Sequence, residues 1–125
     1  MSGERYDILV VGAGCAGLTA ALYAARAGRR VLVLESGAVG GQIASSPRVE
    51  NYPGIPGTSG LAFADALCAQ AMEFGAELDL AQVLSAVPDA EGFLARCDDG
   101  RSVACRSLIL ATGARHRALG LAREN

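Results

Sequence analysis

Residues 6–35 hold the pattern that most narrows what this chain can fold into. The apolar run Tyr6 to Val11 (Y-D-I-L-V-V) leads directly into G12-A-G14-C-A-G17, and an alanine-rich stretch follows it as far as Gly28. A short run of aliphatic and β-branched residues with no polar alternation predicts a strand buried on both faces, the habit of a parallel sheet. Gly12 to Gly14 must then turn sharply. Cys15 to Ala27 are mostly helix formers, and Gly28 stands where a helix C-terminus favours a left-handed residue. Arg30 to Leu34 (R-V-L-V-L) predicts a second buried strand, closed by Glu35. The unit is strand, helix, strand with a right-handed crossover. Ile8 to Ala25 is uncharged and about as long as a membrane span or secretory core, but three glycines interrupt it. Its flank carries Glu4 and Asp7 beside Arg5, which is not a basic leader.

The glycine spacing is that of a dinucleotide-binding turn. Ala21 lies four residues past Gly17, Gly28 seven further on, and Glu35 ends the next strand. Gly12 permits the tight turn out of the strand. Gly14 has no side chain, so a pyrophosphate can approach the backbone from Ala13 through Cys15 to Ala16. Gly17 and Ala21 let the helix lie close to the sheet, and its N-terminus offers unpaired N–H groups to the diphosphate. Glu35 accepts from ribose hydroxyls and repels a 2′-phosphate, so the expected ligand is of NAD or FAD type. The competing explanation is a glycine-rich turn that binds nothing. The motif alone does not choose between the two ligands.

Ser36 to Gly60 is a long Gly-, Ser- and Pro-rich loop, and such loops in compact domains usually carry function. Gly40-Gly41-Gln42 allows close backbone approach and an amide at a ring edge. Asn51, in Val49 to Gly54, offers a second amide, although turn glycines and a self-bonded Asn explain both segments as readily. Ser59 is expected to cap a helix running through Phe74, with Leu61, Ala64, Leu67, Cys68, Ala71 and Phe74 inward and Gly75 ending it. Three short strands, Val83 to Val87, Phe93 to Cys97 and Val103 to Cys105, predict a small antiparallel meander. Ser107 to Ala111 predicts another buried strand, running into Thr112-Gly113.

The expected architecture is α/β: a Rossmann-like parallel sheet with a small antiparallel meander. The chain of 125 residues suffices for one domain, and alanine is the commonest residue in its 51% hydrophobic share, with 5% aromatic residues. A formal charge of −2 gives no basic patch for nucleic acid or an anionic membrane. The four cysteines form no C-x-x-C pair, which points to a reduced, cytoplasmic domain. His116, between Arg115 and Arg117, has no second histidine with which to hold a metal. Asp98-Asp99 before Gly100 reads as a turn, and Tyr52 as a loop residue that stacks on a ring or packs on prolines.

In order along the chain, G-A-G-C-A-G-L-T-A-A-L-Y-A-A-R-A-G, G-G-Q, V-E-N-Y-P-G, F-G-A-E, L-I-L-A-T-G-A and R-x-L-G-L resemble the N-terminal FAD-binding segment of bacterial thioredoxin reductases. G-G-Q with V-E-N-Y-P-G is the specific part, whereas G-x-G-x-x-G and A-T-G are widespread. The resemblance implies that Ala13 to Ala16 hold the FAD diphosphate and Glu35 the adenosine ribose. It places Gly40, Gly41, Gln42 and Asn51 near the isoalloxazine and brings the Val83 backbone to the adenine. Thr112-Gly113 then end the strand that approaches the flavin.

It also implies an incomplete FAD domain over 1–113, with 114–125 a hinge toward an NADPH-binding domain. The redox cysteine pair, the second fingerprint and a later G-D segment are not among these residues. Ala122 stands where the family has a proline. None of the four cysteines takes the redox role, and Cys15 is expected to pack. In the whole enzyme NADPH, a thioredoxin-like protein and a second subunit would be partners. The chain alone is expected to be inactive. The alternatives are a non-catalytic dinucleotide-binding module, or the FAD domain of a related ferredoxin–NADP reductase.

Overall fold

A computed structural model describes residues 5–114. Along the chain these form β1 (Tyr6–Val11), α1 (Cys15–Arg26), β2 (Val31–Glu35), a 3-10 turn (Gly41–Ser45), α2 (Gly60–Glu73), β3 (Glu77–Leu80), β4 (Val83–Asp89), β5 (Gly92–Cys97) and β6 (Ser102–Leu110). The strands make one sheet in the order β3-β2-β1-β6-β5-β4. β1 pairs in parallel with β2 and with β6, and β2 with β3. β4, β5 and β6 pair antiparallel.

The first unit forms as its residues require. Val31 to Leu34 are all buried, and α1 turns Gly17, Leu18, Ala21 and Ala25 inward. Gly17 is small by necessity, since a Cβ there would lie 1.9 Å from the Gly12 carbonyl oxygen. Val10, Leu18, Ala21, Val33 and Ala71 share one core cluster on the helix side of the sheet. Residues 8–25 divide into strand, turn and helix, and no helix among the described residues is long and apolar enough to cross a membrane.

The other sheet face is closed differently. Leu9, Leu32 and Leu34 share a second cluster with Ala81, Ala95, Cys97, Val103 and Cys105. With adjacent strands about 4.8 Å apart, β2 and β5 would lie about 14 Å from each other in a flat sheet. The antiparallel strands must therefore curl back over the parallel ones, as strand twist allows. Two surface arginines fasten this flap. Arg5 reaches Asp89 at 3.0 Å and donates to the Cys105 carbonyl at 2.9 Å. Arg101 bridges Asp79 on β3 at 2.7 Å and Asp99 in the turn at 3.0 Å.

Three expectations need correction. Val103 to Cys105 and Ser107 to Ala111 are not separate strands. Apart from Ala111, just past its end, they lie in the single strand β6, whose first half pairs with β5 and whose second half pairs with β1. Arg106 reads as a break in the sequence, but it is exposed and the backbone runs straight through it. Helix α2 does start after Ser59, whose hydroxyl accepts from the Ala62 N–H at 3.1 Å. Its buried face is Gly60, Phe63, Ala64 and Ala71, with Leu67 and Cys68 packed beside them, while Leu61 and Phe74 are exposed. Phe63 takes the place expected of Leu61, because Gly60 must face the 3-10 turn: a Cβ there would lie 1.7 Å from the Ile43 carbonyl oxygen. Finally, β3 was not anticipated. Glu77-Leu78-Asp79-Leu80 is mostly exposed and pairs only along β2, so it carries little of the apolar signal that marks a strand.

Candidate functional site

The parallel strands point their carboxyl ends at one cleft of about 750 Å³. From β1 the chain passes to β2 on one side and returns as β6 on the other, so the cleft sits at the topological switch point where open α/β sheets bind ligands. Three backbone bonds hold the strand ends together. The Gly12 N–H donates to Leu34 at 2.8 Å, Ala111 to Val11 at 2.8 Å, and Gly40 to Ala13 at 2.6 Å.

The motif glycines divide by what they touch. Gly12 has φ +113°, and a Cβ on it would fall 2.0 Å from the Ala111 carbonyl oxygen. Gly12 and Gly17 are thus demanded by the fold itself. Gly14 is different: its φ is −81°, which any residue adopts, and an added Cβ would meet nothing nearer than 3.8 Å. Packing alone leaves room for a side chain there, and that room opens on the cleft. Gly14 is also the N-cap of α1, with no side-chain cap bond. The N–H groups of Cys15, Ala16 and Gly17 precede the first helical bond, from Leu18 to Gly14 at 2.9 Å. An uncapped helix start of twelve residues aimed at a cleft suits an anion.

Glu35 serves the protein as well as the cleft. Its carboxylate accepts from the Ala13 N–H at 2.7 Å and from the Gly37 N–H at 2.8 Å, tying the β1–α1 turn to the turn after β2. Of the stretch Ala13 to Ala16, the Ala13 amide is therefore already engaged. A carboxylate has about four lone-pair sites, so two bonds leave Glu35 free to accept from hydroxyls.

Gly40 and Gly41 take φ of +103° and +63°, and Gly40 sits beside Gly14 in an isolated bridge. Gln42 donates from Nε2 to the Ala114 carbonyl at 2.7 Å. The cleft thus gathers Gly14, Cys15, Ala16, Glu35, Gly40, Gly41, Gln42, Thr112 and Gly113. Gly12, Ala13 and Gly17 shape it from behind, and Ala13 is fully buried. Asn51 and Val83 do not line it: Asn51 is exposed in the loop after the 3-10 turn, and Val83 opens β4 against Cys97. Ser36, Gly37, Ala38, Ile43, Ala111 and Ala114 line the cleft without having been singled out from sequence. Ser36 directly follows one predicted buried strand and its closing Glu35, and Ala111 ends another, which was the available signal.

Other candidates resolve plainly. Tyr52 packs on the Phe63 ring at 4.8 Å between centroids. Asp98 and Asp99 accept from the Gln82 and Arg101 N–H groups, as turn residues do. All four cysteines are free, with burial pushing the Cys97 and Cys105 thiols up. His116, Arg117 and the rest of the 115–125 tail lie outside the described residues. Among the described residues no group of three or more His, Cys, Asp or Glu is arranged to hold a metal.

Comparison with known proteins agrees with this geometry. The matching family model, described as pyridine nucleotide-disulphide oxidoreductase, spans residues 6–125. A thioredoxin reductase of Listeria monocytogenes is 40% identical over 119 residues, covering 95% of this chain and 37% of that protein. One from Treponema pallidum is 43% identical over 121 residues, covering 96% and 39%. Among solved structures, Lactococcus lactis thioredoxin reductase superposes with a TM-score of 0.89 at 32% identity, over 94% of this chain and 38% of that one. The Streptococcus pyogenes thioredoxin reductase gives 0.88 at 37% identity, over 96% and 39%. The chain therefore spans less than two fifths of the length of these relatives.

Proposed function

The chain belongs to the pyridine nucleotide-disulphide oxidoreductase family, and from that premise we propose that these residues form the FAD-holding part of a thioredoxin-reductase-like flavoprotein. The observation that carries the proposal is Gly14, a glycine the fold does not require, placed at an uncapped helix start that opens on the cleft. Both features suit a diphosphate, and a Cβ at Gly14 would meet nothing nearer than 3.8 Å.

The residues fit the adenosine and diphosphate half of FAD. The amides at the start of α1 would hold the diphosphate, with Gly14 giving it access. Glu35 would accept from the ribose hydroxyls on the lone pairs its two backbone bonds leave open, and its charge would exclude a 2′-phosphate. The Gly40-Gly41-Gln42 turn and Thr112-Gly113, which line the same cleft, would form the walls toward the flavin end. Bound FAD supplies two-electron transfer between a nicotinamide and a disulfide, while the protein contributes binding, orientation and electrostatics. The 125 residues contain no C-x-x-C pair. Disulfide reduction with NADPH, a thioredoxin-like partner, a dimer and a cytoplasmic setting are accordingly proposed for a whole protein of this kind, and turnover by the 125 residues alone is not expected.

Titration of the purified chain with FAD, followed by flavin fluorescence, tests this. Weak, saturable binding that ADP competes away is expected. No binding of either compound would overturn the proposal.

A further inference from the structure

The 3-10 turn lines the cleft and is attached at two points. At its start, Gly40 donates to Ala13 of the β1–α1 turn at 2.6 Å. One residue into it, Gln42 Nε2 donates to the Ala114 carbonyl at 2.7 Å, joining positions 72 residues apart. Gly113, at φ +78°, turns the chain after β6 just before that carbonyl. No other hydrogen bond of a described side chain reaches the 112–114 segment. Both Gln42 and Ala114 line the cleft.

We propose that Gln42 is a positioning residue, a latch that fixes the 112–114 wall to the 3-10 turn and so sets how readily the cleft opens to release a ligand. A glutamine amide has two N–H donors and one acceptor. With one donor on Ala114, a second donor and the oxygen remain to be satisfied, so a single cleft-lining side chain can tie the wall and touch a ligand. Release then requires the wall to swing away, which exchanges this exposed bond for bonds to water. One hydrogen bond of this kind corresponds to about a 2- to 10-fold change in an equilibrium or rate. The effect on release rests on the proposed dinucleotide site, whereas the tie itself is a property of the ligand-free chain.

The test uses Gln42→Glu, which keeps the shape but loses both donors, and Gln42→Lys, which restores a donor. Backbone 15N order parameters of Thr112, Gly113 and Ala114 are measured without ligand. The latch predicts that they fall in Gln42→Glu and recover in Gln42→Lys, with α1 and the other strands unchanged. FAD dissociation, followed by fluorescence recovery, should quicken about 2- to 10-fold in Gln42→Glu. Unchanged order parameters in Gln42→Glu overturn the latch, even if FAD leaves faster, because a lost ring contact would produce that alone. Lowered order parameters in a chain that binds no FAD sustain the tie, and the fault then lies with the dinucleotide site.

Discussion

The two faces of the sheet are closed by opposite means. On the helix side, small residues let backbone meet backbone: Gly17 against Gly12, Gly60 against Ile43, and Ala21 and Ala71 fully within the core. On the other side a curled antiparallel flap covers Leu9, Leu32 and Leu34 and is fastened at its rim by arginine–carboxylate pairs, one half-buried and one more exposed. The first kind of closure tolerates almost no added atom. The second is built from apolar burial plus surface charge, and a single surface pair contributes little. The cleft stands at the ends of the strands that the intolerant side positions, which suits a site whose amides must be held in place.

Gly17→Ala should have the largest effect, because its Cβ would sit 1.9 Å from a carbonyl oxygen that cannot move without carrying the β1–α1 turn with it. A loss of about 3 kcal/mol or more is expected, seen as a fall in Tm of ~10 °C or more or as failure to fold. Gly28→Ala separates crowding from conformation. Gly28 has φ +84° and open space around it, so only the left-handed penalty of about 1–2 kcal/mol applies. If the two variants melt together, steric closure is not what distinguishes the helix side.

Arg101→Ala cuts both rim pairs, to Asp79 and to Asp99, and should lower Tm by less than Gly28→Ala. A loss as large as that of Gly17→Ala would erase the contrast between the faces. The smallest effect is one of pH. The Arg101 and Arg5 guanidiniums hold the Asp79 and Asp89 carboxyls below the usual carboxylate range. Their folded-state values are depressed, so their contribution is present at neutral pH and is lost as pH falls through that range. Urea midpoints should therefore drop modestly from pH 7 to pH 3, and less so in an Asp79→Asn, Asp89→Asn double variant.

How much could be read in advance follows the same division. Tyr6 to Glu35 were legible almost residue by residue, since buried parallel strands read as unbroken apolar runs and Gly12 and Gly17 mark positions only glycine fits. The cleft was legible to the same degree at Gly14, Glu35, Gln42 and Thr112. The flap was legible as three antiparallel strands, but its continuity with the parallel sheet was not: Arg106 splits a strand in the sequence but not in space, because an exposed side chain does not interrupt a ladder. β3 was hidden because an edge strand with one exposed face carries two carboxylates in four residues. The positions of Asn51 and Val83 depend on loop path and sheet curl, which local pattern does not encode. The second duty of Glu35, bonding Ala13 and Gly37, needed coordinates, as did the bond from Gln42 to Ala114.

The central claim is that Gly14 is glycine for a ligand's sake and not for the fold's. Calorimetric titration of FAD into the wild-type chain and into Gly14→Val, with both melted beforehand, tests it most directly. The account predicts a Tm lowered by only a few degrees, because valine is a poorer N-cap than glycine, with weak FAD binding by the wild type and none by the variant. A variant that melts within a few degrees of the wild type and binds FAD just as well would contradict it.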